Sequence, residues 1–555
     1  MEPFNSNQVT RYGLWRRELP TMIDRPALRI GSAEIRYGRT TRGLTRLGLR
    51  PGYVTYEHDT QLYNTNSRLE IMATCGLKSL RRPSLGLVSG AKRSLSFRGM
   101  VPRIATRGLA VAAQATHLAS LMEDHNASLI SMGYTFNYIE HVENLEQYRQ
   151  GGFHPVSLGE TLNNRYLILN KLGHGGYSTV WLSWDILKQK YAAVKIVLAD
   201  FGEDSTEVDI LQRLATTAGR KHPGRSLIRH VTDNFHFDGP NGRHTCLVND
   251  PAMMSLRLAK DASFCRLFQL PTARAITAQI VQAVAYLHER GVVHGDLHLD
   301  NVLFQLPERI KRLSPDQLHQ KHSEPETIPV TRLDGAPLDE NAPDHAVLPI
   351  WLGQKSEDVS LADAKILLGD FGESYVPSSE KRQYCNTPIR YRAPEAQFPD
   401  VCKSLSFSSD IWSLGCLIWG VMGQRPLFDS WTLSEDDILR DQIDLLGDIP
   451  KEWSAYGGKR AEYWVEEDDT ELSPTSENGF TWEDRMERCV QQARRENRME
   501  EISIEEKEAF MEMMKRMIVF RPEDRASARE LLDSRWMKQW ALPELRKIRG
   551  PTIGV

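Results

Sequence analysis

Cysteine motifs, long apolar runs and a strong net charge are all missing from this sequence of 555 residues. Its seven cysteines are scattered and none are spaced as C-x-x-C, which argues against a disulfide framework or a zinc site and for a reducing compartment. No apolar run reaches the roughly 18 residues that a membrane-spanning helix needs, so no membrane association is expected. The net charge of −4 gives no reason to expect direct binding to nucleic acid.

Acidic residues are also absent from Ile71 to Leu121, a stretch that is rich in lysine, arginine and serine. This composition is typical of a mitochondrial transit peptide, although such a peptide would require translation to begin at Met72. The alternative is a disordered basic arm. We expect residues 1–135 to form a basic, disordered arm, with a transit-like segment at 72–121.

From Tyr166 onward, short runs typical of strands give way to longer periodic segments typical of helices. A strand-rich part followed by a helix-rich part predicts an α+β fold of two lobes. The N-terminal lobe is β-rich with one main helix, and the C-terminal lobe is mostly α-helical. The predicted strands are 166–170, 179–184 and 191–197, and the predicted helices are 205–215, 272–290, 408–422 and 504–519.

Two stretches without a clear period interrupt the C-terminal lobe. Residues 306–360 are rich in proline and charged residues, and residues 455–480 are acidic and rich in turn formers. Both compositions predict inserts that are loops or partly disordered spacers. The predicted division of the chain is an arm at 1–135, a lead-in at 136–165, an N-terminal lobe at 166–250, a C-terminal lobe at 251–540 and a C-terminal tail at 541–555.

A glycine-rich segment lies between the first two predicted strands, and Lys195 lies on the third. Glycines let the backbone approach phosphates and present N–H groups to them. A lysine among apolar strand residues needs a negative partner, which Glu207 on the next helix can supply. Alone, either feature has a plain alternative, a glycine-rich hairpin or a surface lysine. Together they predict a site for the phosphates of ATP, formed by Gly173, His174, Gly175, Gly176, Tyr177, Ser178, Val180, Ala193, Lys195 and Glu207.

Two further strings carry side chains that suit phosphoryl transfer. In HGDLHLDN, at 294–301, Asp296 and Asn301 are five residues apart, so a carboxylate can accept a hydroxyl proton beside an amide that holds magnesium. In the string DFG at 370–372, Asp370 can bind the magnesium that bridges the phosphates. The predicted catalytic residues are Asp296, Lys195 and His298, and the predicted ligands of Mg²⁺ are Asn301 and Asp370.

Three other charged residues are predicted to support the structure rather than the chemistry. Glu395, in the string APE at 393–395, and Arg525 are expected to form a buried ion pair. Asp410 is expected to bind the backbone of the loop that carries Asp296.

The ordered set of glycine-rich loop, AVK, HGDLHLDN, DFG, APE and DIWSLG resembles the eukaryotic protein kinase family from residue 166 to about residue 540. The resemblance implies the two-lobed protein kinase fold. It also implies transfer of the γ-phosphate of ATP to serine or threonine hydroxyls of a protein substrate, with ATP and Mg²⁺ as cofactors.

Four segments narrow the resemblance to the SR-protein kinases, within the group that includes cyclin-dependent and MAP kinases. They are YRQGGFHP at 148–155, STVWL at 178–182, YRAPE at 391–395 and ILRDQIDLLGDIP at 438–450. The resemblance implies arginine-serine-rich substrates, which an acidic cluster would attract; a solvated helix face explains that cluster equally well. The cluster is Glu435, Asp436, Asp437, Asp441 and Asp444.

We expect a cytoplasmic or nuclear monomer, or a mitochondrial one if 72–121 is a presequence.

The sequence departs from the family pattern at three positions. Gly295 replaces the arginine of H-R-D, so switching by phosphorylation of the activation loop is not expected. His298 replaces the lysine that touches the transferring phosphate, and Thr387 lies one residue further from Ala393 than is usual. The string HGDLH also resembles aminoglycoside and choline kinases. A small-molecule phosphotransferase and a pseudokinase that only binds partners are therefore the alternatives.

Overall fold

The computed structural model describes residues 126–549, apart from 127, 203–205, 217–221, 400–401, 403, 431–433 and 455–480. The transit-like segment 72–121, the acidic insert 455–480 and nearly all of the N-terminal arm lie outside the described residues.

Six antiparallel strands form the sheet of the N-terminal lobe in the order β1-β2-β3-β4-β6-β5. Apolar residues on one face, such as Val194 and Ile196, are buried together in a cluster of their own. β2, β3 and β4 confirm the three predicted strands. The six strands are β1 (Thr161–Leu162), β2 (Tyr166–His174), β3 (Ser178–Asp185), β4 (Lys190–Val197), β5 (Val231–Gly239) and β6 (Gly242–Asn249).

The predicted helix of this lobe is α2 (Glu207–Ala215), which follows the short helix α1 (Ala199–Gly202). In α2, Ile210, Leu211 and Leu214 recur at helical spacing and are buried, and so is Glu207 in the first turn. The apolar face therefore packs into the protein and carries the carboxylate of Glu207 inward.

A three-stranded sheet, in the order β11-β8-β7, follows the N-terminal lobe and supports the loops of the site. Its strands are β7 (Ala252–Ser255), β8 (Val302–Gln305) and β11 (Ile366–Leu368). β8 begins directly after Asn301, and β11 ends two residues before Asp370. The antiparallel pairing of β8 with β11 therefore brings the two predicted metal ligands to the same edge of this sheet.

Helices make up most of the C-terminal lobe, around the long helices α4 (Leu270–Glu289) and α7 (Phe407–Met422), which are buried on nearly all sides. The predicted helices 272–290, 408–422 and 504–519 are confirmed as α4, α7 and α12 (Ile504–Lys515). No helix in the described part of the chain is long and apolar enough to cross a membrane. Besides two helices of the insert, this lobe contains α3 (Leu256–Asp261), α4 (Leu270–Glu289), α7 (Phe407–Met422), α8 (Glu435–Leu446), α9 (Lys451–Ser454), α10 (Trp482–Met486), α11 (Gln492–Glu496), α12 (Ile504–Lys515), α13 (Ala528–Leu532) and α14 (Leu542–Arg549).

One predicted segment, the insert 306–360, differs from expectation in the structure. Residues 306–360 contain short helices and a two-stranded sheet instead of loops alone, because sparse apolar residues such as Leu318 and Val330 are buried against the rest of the protein. Within the predicted tail 541–555, for which no helix or strand was predicted, helix α14 (Leu542–Arg549) is formed and Leu545 is buried. The elements of the insert are α5 (Glu308–Lys311), α6 (Pro315–His322), β9 (Thr327–Pro329) and β10 (His345–Val347).

Candidate active site

Lys195 on β4 joins two carboxylates from distant parts of the chain. Its Nζ donates to Glu207 Oε2 at 2.8 Å and to Asp370 Oδ1 at 2.9 Å. The second oxygen of Glu207 accepts the backbone N–H of Phe371 at 3.2 Å. The predicted pairing of Lys195 with Glu207 is confirmed, and α2 is thereby fixed to the D-F-G string.

This network keeps Lys195 and Asp370 charged. The positive charge of Lys195 holds the pKa of Asp370 at about 2, although burial acts in the opposite direction. Burial disfavours the charge on Lys195, but Asp370 and Glu207 outweigh it and raise the pKa of the lysine. At neutral pH the site therefore presents an ionised carboxylate, the form that binds a divalent cation.

The glycine-rich loop between β2 and β3 leaves room for a ligand. A Cβ added at Gly173, Gly175 or Gly176 would meet no atom within 4 Å, so these backbones border open space. The loop is closed by a hydrogen bond from the N–H of Gly175 to the carbonyl of Ser178 at 2.8 Å. Tyr177 at its tip packs against Phe201, with ring centroids 5.0 Å apart.

Strand register places three predicted residues on one face of the sheet. Val180 lies opposite Lys195 across β3 and β4, and Ala193 is two residues before Lys195 on the same strand. Because side chains alternate between faces along a strand, Val180, Ala193 and Lys195 share a face. Leu247 on β6 pairs with Lys195 and belongs to the same face; sequence reasoning did not identify it, since β6 carries no motif.

The loop at 294–301 holds Asp296 by one of its two oxygens. Asp296 Oδ2 accepts from Asn301 Nδ2 at 3.0 Å and lies 3.3 Å from His298 Nε2. Asn301 Nδ2 also donates to the carbonyl of Asp296 at 2.8 Å, so its amide oxygen is the atom left for another ligand. Asp296 Oδ1 is buried and has no hydrogen-bond partner among the described residues.

His298 lies between two carboxylates. Its Nε2 faces Asp296, and its Nδ1 is 3.3 Å from Asp300 Oδ2. Burial lowers the pKa of the imidazole, but hydrogen bonds and charge attraction from Asp296 and Asp300 outweigh burial and raise it to about 9. The N–H of Asp300 also faces Nδ1 at 3.3 Å, and Nδ2 of Asn301 faces Nε2 at 3.0 Å. The two carboxylates outweigh these donors, so at neutral pH His298 is a cation, as a lysine at this position would be. The contribution of Asp300 was missed, although its place two residues after His298 was visible in the sequence.

Asp410, in the first turn of α7, holds the backbone of this loop as predicted. Its Oδ2 accepts the N–H of His294 at 2.8 Å, and its Oδ1 accepts the N–H of Gly295 at 3.0 Å. His288 Nε2 lies 3.0 Å from Oδ2, a third contact that no motif indicated. The loop is therefore fixed to two long helices, because His288 belongs to α4.

His294 connects the loop to the D-F-G string. Its Nδ1 accepts the N–H of Asp296 at 3.3 Å, so Nε2 carries the proton and donates to the carbonyl of Gly369 at 3.2 Å. Burial lowers the pKa of this imidazole, which favours the neutral form. The backbone positions of Asp296 and Asp370 are thereby linked through one side chain.

Gly295 has a conformation that few other residues adopt. Its φ is +78°, and an added Cβ would lie 2.4 Å from the carbonyl oxygen of Glu373. Its own carbonyl accepts the hydroxyl of Thr387 at 2.7 Å. The arginine that most protein kinases carry here would thus require the activation segment, residues 370–395, to move.

The segment from Asp370 to Glu395 is held by contacts among its own residues and with the C-terminal lobe. Arg525 donates to both oxygens of Glu395, at 2.8 Å and 2.7 Å, which confirms the predicted buried pair. Arg382 Nη1 donates to the carbonyl of Glu373 at 2.8 Å. Asn386 Nδ2 donates to Glu373 Oε1 at 2.7 Å. These contacts connect the middle of the segment to the residues just after D-F-G.

The predicted acidic cluster lies on α8, which has five acidic residues and one basic residue. Part of its charge is already paired. Arg392 donates to Glu435 at 2.9 Å, and Arg485 donates to Asp441 at 2.6 Å. The pKa of Asp444 is raised, first by burial and then by the charge of its neighbour Asp441.

A family model described as the protein kinase domain matches residues 166–313 and 354–537. A serine/threonine protein kinase of Aspergillus fumigatus is 29% identical over 403 residues, covering 71% of this chain and 90% of the relative. SRSF protein kinase 3 of Homo sapiens is 32% identical over 181 residues, covering 32% of each chain. Protein kinase dsk1 of Schizosaccharomyces pombe is 36% identical over 168 residues, covering 29% of this chain and 31% of the relative.

The family model covers more than half of the chain, and most of both lobes lies within its matched residues. The match includes Lys195, Asp296 and Asp370. The order of the elements, a β-rich lobe followed by a helical lobe, agrees with the fold that the sequence predicted. On these observations, the chain belongs to the protein kinase family.

Proposed function

We propose that this protein transfers the γ-phosphate of Mg-ATP to serine or threonine hydroxyls of protein substrates. The observation that carries the proposal is the state of Asp296. One carboxylate oxygen is fixed by His298 and Asn301, and the other is buried without a partner among the described residues. A carboxylate held in this way is ready to accept the proton of an incoming hydroxyl.

Lys195, Asn301 and Asp370 supply the binding groups for the nucleotide. The space beside Gly173, Gly175 and Gly176 accommodates phosphates, and Lys195 neutralises part of their charge. Asp370 and the amide oxygen of Asn301 would hold Mg²⁺, which is usually bound by one or two protein oxygens together with phosphates and water. When bound, the ion neutralises charge that develops on the phosphates during transfer.

His298 replaces the lysine of the family pattern without loss of charge. With a pKa of about 9 it is protonated at neutral pH. Its Nε2 lies beside Asp296 Oδ2, so the cation is next to the carboxylate that receives the hydroxyl. A cation at this position stabilises negative charge on the transferring group, which supports an active enzyme over a pseudokinase.

The choice of serine and threonine is supported by Thr387 and by the names of the relatives. The Thr387 hydroxyl donates to the carbonyl of Gly295, next to Asp296. It thus connects the segment that receives a substrate with the loop that carries out the chemistry. The Aspergillus relative is named as a serine/threonine protein kinase.

For the substrate class, we propose proteins rich in arginine-serine sequences, in the cytoplasm or nucleus. The acidic residues of α8 lie near Arg392, directly before the A-P-E string, at the part of the segment that contacts substrate in protein kinases. Negative charge on this helix attracts arginine side chains and excludes acidic peptides. The human relative is named as a kinase of SRSF proteins.

The test is transfer of labelled γ-phosphate from Mg-ATP to three peptides that share a scaffold of arginine-serine, lysine-serine or glutamate-serine repeats. We expect efficient transfer to the arginine-serine peptide, weaker transfer to the lysine peptide and least to the glutamate peptide. Asp436→Asn combined with Asp444→Asn should raise KM for the arginine-serine peptide by about three- to tenfold while KM for ATP stays unchanged.

Two outcomes would support the alternative functions, and a third would contradict only the proposed substrate class. Transfer to small alcohols or amines with none to any peptide would indicate a small-molecule phosphotransferase. ATP binding without transfer to peptides or small molecules would indicate a pseudokinase. Equal transfer to all three peptides would leave a protein kinase but contradict the proposed substrate class.

A further inference from the structure

Two segments outside the residues matched by the family model meet beside the glycine-rich loop. One is the lead-in, residues 136–165, which precedes the first matched residue. The other lies within the unmatched gap 314–353; we call residues 324–353 the strap. Backbone hydrogen bonds and an ion pair connect these segments to β2.

The lead-in and the strap pair with each other. Phe136 forms an antiparallel bridge with Arg332, and the N–H of Asn137 donates to the carbonyl of Thr331 at 2.9 Å. Apolar residues from both segments share a small buried core. Its buried members are Ile139, Leu145, Tyr148, Phe153, Leu198, Val330, Ala342 and Ala346.

A buried ion pair joins the lead-in to β2. Lys171, two residues before Gly173, forms an ion pair with Glu143, and Glu143 also accepts the hydroxyl of Tyr148. The side chain of Lys171 is fully buried and lies 5.3 Å from the ring centroid of Trp181. Because an unpaired buried charge is strongly disfavoured, this pair sets where β2 lies relative to the lead-in.

The strap binds the backbone of the same residue. Pro349 forms a parallel bridge with Lys171, and the N–H of Ile350 donates to the carbonyl of Lys171 at 2.8 Å. β1 pairs with the first two residues of β2, and the strap adds one bridge further along β2, at Lys171. Close by, an added Cβ at Gly353 would lie 2.5 Å from Met254 Sδ, which places the strap against β7, the strand that follows the N-terminal lobe.

The lead-in also reaches the far side of the glycine-rich loop. The carbonyl of Gly151 accepts the N–H of Asp200 at 2.8 Å, and the N–H of Leu198 donates to the carbonyl of Tyr177 at 2.9 Å. Gly151 has a φ of +80°, and an added Cβ would overlap the side chain of Asp200. The strand before the loop and the residue at its tip are thus both connected to the lead-in.

The strap is anchored in the C-terminal lobe at both ends. Before it, Ile310 and Leu318 are buried in the main core of the protein. After it, Thr272 on α4 donates its hydroxyl to the carbonyl of Val359 at 3.0 Å. The strap therefore extends from the C-terminal lobe to β2 of the N-terminal lobe and returns.

We propose that the lead-in and the strap form a brace that positions the glycine-rich loop over the nucleotide, with Glu143 and Lys171 as positioning residues. The inference rests on the proposed ATP-binding function and adds a role for segments outside the kinase domain model. A fixed loop reduces the ordering that nucleotide binding requires, so loss of the brace should raise KM for ATP more than it lowers kcat.

The test shortens the strap within its own hairpin. Thr327 and Val347 are paired across β9 and β10, so residues 328–346 can be replaced by Asn-Gly, a sequence that suits a two-residue hairpin turn. Amide hydrogen exchange in peptides covering 166–181 should become about tenfold faster. KM for ATP should rise by about three- to tenfold, with kcat within about twofold of the parent enzyme.

Two further variants guard against a folding defect. Asn137→Ala with Thr331→Val keeps the whole strap and removes the hydrogen bonds from Asn137 Nδ2 to the hydroxyl and the carbonyl of Thr331, at 2.8 Å and 3.4 Å. It should therefore shift exchange and KM in the same direction by a smaller factor. Glu340→Ala, at an exposed position of the strap, should match the parent protein in both measurements.

Hydrogen exchange separates failure of this proposal from failure of the proposed function. Unchanged exchange at 166–181 in the shortened variant would overturn the brace, whether or not the protein uses ATP. Faster exchange together with unchanged KM would overturn the positioning role. A parent protein that binds no ATP would overturn the proposed function and, with it, the role of the brace in nucleotide binding.

Discussion

At the scale of single residues, the site depends on charges that are held by more than one partner. His298 is charged because Asp296 and Asp300 flank it, and Asp370 is ionised because Lys195 faces it. Asp296 is the exception, since one of its oxygens has no partner in the described part of the chain. That oxygen is where the proposed chemistry takes place.

The charge of His298 predicts a pH dependence of stability. Folding raises the pKa from its usual 6.5 to about 9, so the charged imidazole stabilises the folded state. This contribution, at most about 3 kcal/mol, is fully present below about pH 6.5 and is lost as pH rises through about 9. The measurement is urea unfolding of the parent and His298→Gln from about pH 5.5 to 10, without Mg²⁺. A difference in unfolding free energy that stays constant over this range would contradict the assignment.

Gly295 predicts that restoring a side chain at this position damages the enzyme. In Gly295→Ala the left-handed backbone costs roughly 1–2 kcal/mol, and the Cβ must also displace the carbonyl of Glu373. Both Tm and kcat should therefore fall. Gly335→Ala is the matched control, because Gly335 has a φ of +70° with nothing within 4 Å of its added Cβ. Equal effects of the two substitutions on Tm, with kcat unchanged in both, would contradict the account.

Single residues were predictable from sequence where they belong to a local string. Lys195, Asp296, Asn301 and Asp370 each lie in such a string; Lys195 contacts Asp370, and Asp296 contacts Asn301. The pair of Glu143 and Lys171 had no such signal, because its members are 28 residues apart and neither segment repeats a known pattern. His288 was missed for the same reason, since its contact with Asp410 joins two distant helices.

At the scale of elements, loops do the chemistry and helices hold the loops. The first turn of α7 binds the loop at 294–301 through Asp410, and α2 carries Glu207 to Lys195. Each helix is itself held by a buried apolar face, so the polar groups are fixed by packing rather than by local preference. A defect in one of these connections should affect kcat without removing the nucleotide site.

Asp410→Asn tests this view. The amide has one acceptor oxygen, whereas Asp410 accepts two backbone N–H groups and contacts His288 with its two oxygens. The variant leaves a buried donor unsatisfied, at a cost of about 1–3 kcal/mol, and should lower kcat by about tenfold or more while KM for ATP changes little. Asp316→Asn, at an exposed position of α6, is the control. Parent-like kcat in Asp410→Asn would show that the loop does not need this contact.

The insert 306–360 shows where element prediction failed. Its composition predicted loops, and most of its residues are indeed polar, yet Leu318 and Val330 are enough to fix short helices and a hairpin. Its anchors lie in two lobes, so their partners could not be read from the insert alone. The long helices were easier, because α4 and α7 carry apolar residues throughout their length.

At the scale of the whole molecule, two lobes, an activation segment and a brace act on one site. The division into a β-rich and a helical lobe was predictable, because the hydrophobic period changes along the chain. The contacts that join the lobes through the strap were not, since they depend on tertiary packing. The domain boundaries drawn from sequence remain predictions.

The activation segment predicts activity that does not depend on phosphorylation. Glu395 with Arg525, and Arg382 with Glu373, hold the segment by contacts between unmodified residues. Phosphatase treatment of the purified protein should therefore leave the rate of phosphate transfer within about twofold, since no missing charge pair has to be supplied. A large loss of activity that ATP alone restores would contradict this expectation.

The central claim, that Asp296 is the base of a protein kinase, is tested most directly by Asp296→Asn. The measurement is transfer of labelled γ-phosphate from Mg-ATP to the arginine-serine peptide, together with nucleotide affinity, in the parent and the variant. The account predicts that transfer falls by at least about 100-fold, within the range that a positioned general base contributes, while ATP affinity is kept. Transfer at the parent rate in Asp296→Asn would contradict the claim.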